Sequence, residues 1–171
     1  MKEINVTTKY TDEKIKKFLN VYYFDKIKTI RIVLNIFIVI VIINFFTKDE
    51  RTTIDIISFL FSLIGLLELN TNFLPLFNYY KLKKKKDNII NTEVSYVFKK
   101  NNFKISTNKD EYIDYDKLSK VIETNFDYYL YISNSRSLIV GKDNLSKKDI
   151  EILTGIFKDK VSTYIYKKNV W

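Results

Sequence analysis

The sequence predicts a membrane α-helical hairpin joined to a small cytoplasmic α+β domain, and three features carry that reading. Two apolar runs, Ile32 to Phe46 and Ile54 to Leu69, are separated by a short charged segment, Thr47 to Thr53. Basic residues stand outside the pair, with Lys26, Lys28 and Arg31 before it and Lys81, Lys83, Lys84, Lys85 and Lys86 after it, whereas the connecting segment carries both signs. From Thr92 onward apolar residues recur at every second position, and past Leu145 at every third or fourth, a change from strand to helix period.

Residues 1–29 read as a short strand and an amphipathic helix. Lys2 to Val6 alternates weakly, and Thr7, Thr8 or Thr11 is placed to cap a helix, with Glu13 near the position of a capping-box acid. Ile15, Phe18, Leu19, Tyr22 and Tyr23 follow helical spacing, so one side of this helix must rest on the membrane surface or on the C-terminal domain. Tyr22, Tyr23 and Phe24 fall just before the first apolar run, where interfacial aromatics are favoured.

Residues 30–80 form the hairpin. A crossing helix needs about 20 apolar residues, and Ile32 to Phe46 is somewhat shorter, so Lys28 and Arg31 must extend their charged heads toward the lipid headgroups. Cationic flanks stay cytoplasmic, which puts both termini inside and the turn outside the inner (plasma) membrane. A helical hairpin buried in a soluble core is the alternative; such helices usually carry a polar stripe, and these runs have only isolated Asn35, Asn44, Ser58 and Ser62. With the turn near Glu50, Arg31 falls opposite Glu68, and either the two pair or Glu68 sits among headgroups. Asn35 and Asn44 are expected to face the partner helix.

The polybasic linker, residues 81–91, abuts the membrane segment, where each lysine gains about 1 kcal/mol from anionic lipid. Beyond it, strands are expected at Thr92 to Lys99, Phe103 to Thr107, Glu111 to Tyr115, Leu118 to Thr124, Tyr128 to Ser133 and Ser137 to Gly141. Ser146 then caps a helix with the apolar stripe Ile150, Leu153, Ile156, Phe157 and Val161. Strands followed by one helix match a pleckstrin-homology-like (PH-like) antiparallel barrel and equally allow a curled open sheet with the helix on one face. The tail from Tyr164 to Trp171 can return to the membrane, add to the sheet or fray.

Composition narrows the chemistry. The chain has neither cysteine nor histidine, which removes thiol nucleophiles, disulfides, imidazole bases and the common zinc sites together. No catalytic, cofactor-binding or metal-ligating set is expected. The net charge of +9 is concentrated beside the membrane segment and is overwhelmingly lysine, so nucleic acid is not an expected partner. No cleavable signal peptide is expected, since about 30 residues precede the first apolar run and no small-residue cleavage site follows it. Asp110, Glu111, Asp114, Asp116, Glu123 and Asp127 cluster in sequence, and the simplest account is solvated turns between strands. Tyr112, Tyr128, Tyr129 and Tyr131 are the candidate interaction surface, although small sheets more often use such residues, Tyr115 included, as core.

The segments Tyr115 to Glu123, Tyr128 to Ser133 and Leu138 to Leu145 together resemble the C-terminal domain of the YcxB-like family of bacterial membrane proteins. The order of parts agrees, and the resemblance covers essentially the whole chain. Val140-Gly141 stands where the family more often has Ile-Pro before a basic residue, and Leu145 where an aromatic is usual. The resemblance implies a membrane-tethered domain, residues 92–171, and brings no catalytic residues. The expected function is a non-enzymatic binding or regulatory module, its partners anionic lipid headgroups and an unidentified protein. An immunity protein that neutralises a cognate toxin, or an anionic-lipid sensor, are the alternatives.

Overall fold

The computed structural model describes residues 3–26, 28–71, 73–84, 89–107, 109–133 and 136–168. The chain is α+β and divides into two compact units, residues 1–18 with 86–171, and residues 19–85. The first unit is therefore discontinuous, with the apolar hairpin inserted between its first strand and the rest.

That unit contains two four-stranded sheets. β1 (Ile4–Lys9), β2 (Glu93–Phe98), β3 (Asn102–Ser106) and β4 (Asp110–Asp114) form an antiparallel meander in that order. β5 (Lys120–Thr124), β6 (Asp127–Tyr131) and β7 (Ser137–Gly141) form a second, to which β8 (Tyr164–Lys167) adds parallel to β5. The sheets do not close into a barrel, and the all-antiparallel expectation is corrected by β8: the tail segment adds to the sheet at Val121–Thr124. The short strand expected near the N-terminus joins the first sheet, where β1 pairs with β2 from Ile4 opposite Phe98 to Lys9 opposite Glu93.

Side chains rather than a backbone ladder join β1 to β7. Thr8 Oγ1 accepts from Gly141 N at 2.9 Å, Tyr10 Oη accepts from Ile139 N at 3.0 Å, and Tyr96 Oη donates to Ile139 O at 3.0 Å. The Tyr10 and Tyr96 hydroxyls meet at 2.7 Å in a buried position. Burial raises the pKa of both, so they remain neutral donors.

α5 (Lys147–Lys160) starts where Ser146 Oγ accepts from Asp149 N, as its sequence predicts. Leu153 and Phe157 are fully buried. The Phe157 ring lies 6.0 Å from Phe98 of the first sheet, 5.2 Å from Tyr128 of the second and 6.0 Å from Tyr115 in the 3-10 turn Tyr115–Lys117. One side chain thus packs on both sheets, and the helix closes the core between them.

α1 (Asp12–Lys26) begins in this unit and runs into the next. Thr11 is its cap, accepting from Lys14 N; Glu13 is not a capping-box acid but pairs with Lys17 one turn on. The second unit holds α2 (Lys28–Thr47), α3 (Thr53–Asn70) and α4 (Phe73–Lys83). At 20 and 18 residues, α2 and α3 measure about 30 and 27 Å along their axes, the hydrocarbon thickness of a bilayer. Both are long and apolar enough to cross a membrane. α2 extends past the apolar run to Lys28 at one end and Thr47 at the other, so polar residues make up both ends of its 20-residue length.

Candidate functional site

In the second unit the helical hairpin is held by aromatic stacking and one polar link. Phe45 stacks on Phe59 with centroids 4.3 Å apart, and Asn70 Nδ2 donates to Asn35 Oδ1 at 2.9 Å. Asn35 faces the partner helix as expected, while Asn44 is exposed. Among the described residues no ion pair joins Arg31 to Glu68, which corrects that expectation. Arg31 instead lies over the Phe24 ring at 4.7 Å, and Glu68 is exposed. The cause is the position of the turn. Thr52 and Asp55 form a capping box that starts α3, Lys48 pairs with Asp55 at 2.7 Å, and the midpoint of the paired residues moves from Glu50 to Thr52. That shift carries Glu68 away from the level of Arg31.

Of the basic strip, Lys81, Lys83 and Lys84 are exposed at the end of α4 and just beyond; Lys85 and Lys86 lie outside the described residues. The outward faces of α2 and α3 are almost entirely apolar, with Phe37, Phe46, Ile54, Phe61 and Leu67 each more than 60 % exposed.

In the first unit, the candidate interaction surface separates. Tyr112 is 59 % exposed on β4, but Tyr128, Tyr129 and Tyr131 are buried, a correction with a clear origin. β6 is covered on both faces: Tyr128 points toward Phe157 of α5, and Tyr129 and Tyr131 toward Phe18 of α1, at 5.5 and 6.2 Å. An exposed aromatic strip requires one face of the strand in water. Among the described residues of this unit, the exposed aromatics are instead Tyr112, Phe126 at the β5–β6 turn and Tyr166 on β8. Lys17 Nζ sits 4.5 Å from the Phe126 ring centre, and the Tyr166 hydroxyl donates to Asn125 Oδ1 at 2.6 Å.

Two of the six clustered carboxylates are buried rather than placed in solvated turns. Glu123 and Asp127, on either side of the β5–β6 turn, are buried. Glu123 Oε1 accepts from Lys142 Nζ at 2.6 Å, and Oε2 accepts from the hydroxyls of Thr154, at 3.0 Å, and Tyr164. The Lys142 ammonium also donates to Thr124 O and lies over the Tyr128 ring. Asp127 Oδ1 accepts from Lys14 Nζ at 2.9 Å, and Asp143 accepts from the same ammonium at 2.7 Å. Desolvation raises the Asp127 pKa despite Lys14. Burial acts to lower Lys14, but Asp143 and Asp127 outweigh it and the ammonium is held above its usual range. The sequence signal for these groups was the spacing alone, which does not distinguish a buried turn from an exposed one.

The turn they surround is over-determined. Thr124 Oγ1 accepts from Asp127 N at 3.0 Å and donates to Asp127 O, while Lys142 N donates to Phe126 O. Each of the two buried carboxylates is thus held by fixed partners. The arrangement ties α1, the end of β7, α5 and β8 to one hairpin.

A cleft of about 460 Å³ lies between the ends of β2 to β4 and the start of β7. Tyr10, Val94, Ile105 and Leu138 supply its apolar wall, and Arg136 and Glu111 its polar one. Those two meet in a bidentate pair, with Nη1 to Oε1 at 2.8 Å, and Arg136 holds the Glu111 pKa below the usual range. Among the described residues no three acidic side chains gather as a metal site. Comparison with family models, with curated proteins and with solved structures finds no match to this chain.

Proposed function

We propose that this chain is an integral membrane protein in which α2 and α3 cross the plasma membrane and the α+β unit stands at its cytoplasmic surface as a non-enzymatic binding or regulatory module. The observation that carries the reading is the exposure of the two apolar helices: 6 % of the first apolar stretch is buried, and none of the second. A helix of a soluble core buries most of such a surface, because each large apolar side chain left in water forgoes about 1.5 to 3 kcal/mol. The lysines on the outer ends support a cytoplasmic position for both flanks. The resemblance to the YcxB-like family supports the same order of parts, and two sheets joined by one helix support a PH-like reading of the soluble unit. Saturation of the buried charges supports a binding role over catalysis, with the protein partner approaching the exposed Tyr112 and the Arg136–Glu111 cleft.

Because the chain has no cysteine, topology is tested directly. Asp49→Cys and Glu50→Cys should react with an impermeant thiol reagent in intact cells, and Lys109→Cys and Asp116→Cys only after permeabilisation. Reaction of all four in intact cells, or of the second pair alone, overturns the hairpin. A photocrosslinker at Tyr112 in native membranes should capture one defined protein; equal capture from a site on the opposite sheet, such as Tyr166, removes Tyr112 from the partner surface.

A further inference from the structure

The second apolar run ends at Leu69, but helical structure resumes beyond it in a separate element. α3 ends at Asn70 with Thr71 in extended backbone, and α4 begins at Phe73. Pro75 falls in the first turn of α4, where its missing N–H has no helical partner to lose. The result is an independent helix of 11 residues, about 17 Å long, too short to cross about 30 Å of hydrocarbon.

Its two faces differ. Pro75 and Tyr79, one turn apart, are buried. Phe73, Leu76, Phe77 and Tyr80 follow i, i+3, i+4, i+7 and are 53, 41, 58 and 53 % exposed. The Phe73 and Phe77 rings lie one turn apart with centroids at 6.5 Å. One turn further the stripe continues as Lys81 and Lys84, both exposed, and the helix contains no acidic residue. A contiguous aromatic stripe that ends in cations, and that follows directly on two helices with lipid-type surfaces, is matched by the boundary between acyl chains and anionic headgroups: aromatics favour that depth, and lysines gain from the surface charge.

We propose that α4 is an interfacial helix that lies along the cytoplasmic membrane surface, with Phe73, Leu76, Phe77 and Tyr80 in the headgroup–acyl boundary and Lys81, Lys83 and Lys84 on anionic lipid. The inference rests on the membrane reading of α2 and α3 and adds a third, non-spanning membrane contact.

The test uses the full chain in vesicles of phosphatidylcholine with phosphatidylglycerol. Phe77→Cys, with Phe73→Cys as a second site, carries an environment-sensitive fluorophore; Phe37→Cys, midway along α2, serves as the reference. Lipids bearing a nitroxide high or low on the acyl chain then report depth. Shallow nitroxide should quench the Phe77 label several-fold more than deep nitroxide, and the Phe37 label should show the reverse order. In addition, Lys81→Gln, Lys83→Gln and Lys84→Gln together should reduce shallow quenching at Phe77 in these vesicles and leave it unchanged in phosphatidylcholine alone. A Phe77 label quenched at neither depth, beside a deeply quenched Phe37, overturns the inference and leaves the spanning hairpin intact. Deep quenching at Phe77 also overturns it, by making α4 part of the span. Absence of quenching at both sites defeats the membrane reading and this inference with it, and lysine substitutions without effect remove anionic lipid as the ligand.

Discussion

Glu123 and Asp127 flank one tight turn, yet their surroundings give them opposite consequences. Glu123 is met by an ammonium and two hydroxyls, so removing the cation strands a charge that is already desolvated. Lys142→Met should therefore cost about 3 to 5 kcal/mol, measured by denaturant titration of the purified protein, and Glu123→Leu added to it should recover part of the loss. A silent single substitution would mean that water reaches the pair. Asp127 behaves differently because its folded pKa is raised above its unfolded value by burial. The folded state then holds the proton more tightly than the unfolded chain, so this group favours folding at low pH and loses that contribution as pH rises through its raised value. Glu111 and Asp110, whose values are lowered by Arg136 and Lys104, contribute the opposite slope. The effect is thus read as a difference: Asp127→Asn should become progressively more stable relative to the parent as pH rises from the carboxylate range toward neutrality, with Lys14 still held by Asp143. A difference independent of pH would show that folding does not shift the Asp127 pKa. None of this was legible in the sequence, because local alternation reports which residues share a strand face and not whether both faces are covered.

At the level of elements, legibility followed the strength of local signals. The strands from Glu93 to Gly141 and the helix capped by Ser146 stand close to their expected bounds, since period, turn residues and cap agree there. β8 was one of three fates for the tail, because its parallel partner lies 43 residues earlier, from Val121 to Tyr164, and no local pattern announces it. The hairpin register failed for a related reason: the cap at Thr52, not the centre of charge at Glu50, sets where α3 begins. Its polar link is correspondingly Asn35–Asn70, and Asn70→Leu should weaken the helix pair by about 0.6 to 2 kcal/mol in detergent, the range for side-chain hydrogen bonds between membrane helices. Asn44→Leu, at an exposed position, should change little by the same assay. In the α+β unit, Phe157→Ala should cost about 3 to 5 kcal/mol because its ring fills the space between α5 and both sheets. Lys148→Ala, exposed on the same helix, should leave the melting temperature unchanged. Equal effects of the two would mean that α5 is not part of the core.

The whole molecule is organised by an insertion. A domain boundary at residue 92 places all the strands that matter on one side, but β1 supplies the neighbour of β2, and its Thr8 together with Tyr10 supplies the bonds to β7. Without residues 3–18 the α+β unit loses a sheet edge, the Tyr10–Tyr96 pair, the Lys14 ammonium beside Asp127 and the Phe18 ring against Tyr129. Residues 92–168 alone should therefore lack a cooperative thermal transition and aggregate. Residues 3–18 joined to 89–168 should restore it, because the β1 and β2 ends already meet where Asn91 N donates to Tyr10 O at 2.8 Å, and α1 extends only about 10 Å past that point over Asp12–Phe18. A Gly/Ser linker of about ten residues spans about 17 Å on average, enough to return without strain. Calorimetry of the two fragments decides the matter: a cooperative transition at the same temperature in 92–168 alone would show that β1 is dispensable. A single transition in the joined fragment only would show that β1 and the start of α1 belong to the same folded body as the strands from β2 onward.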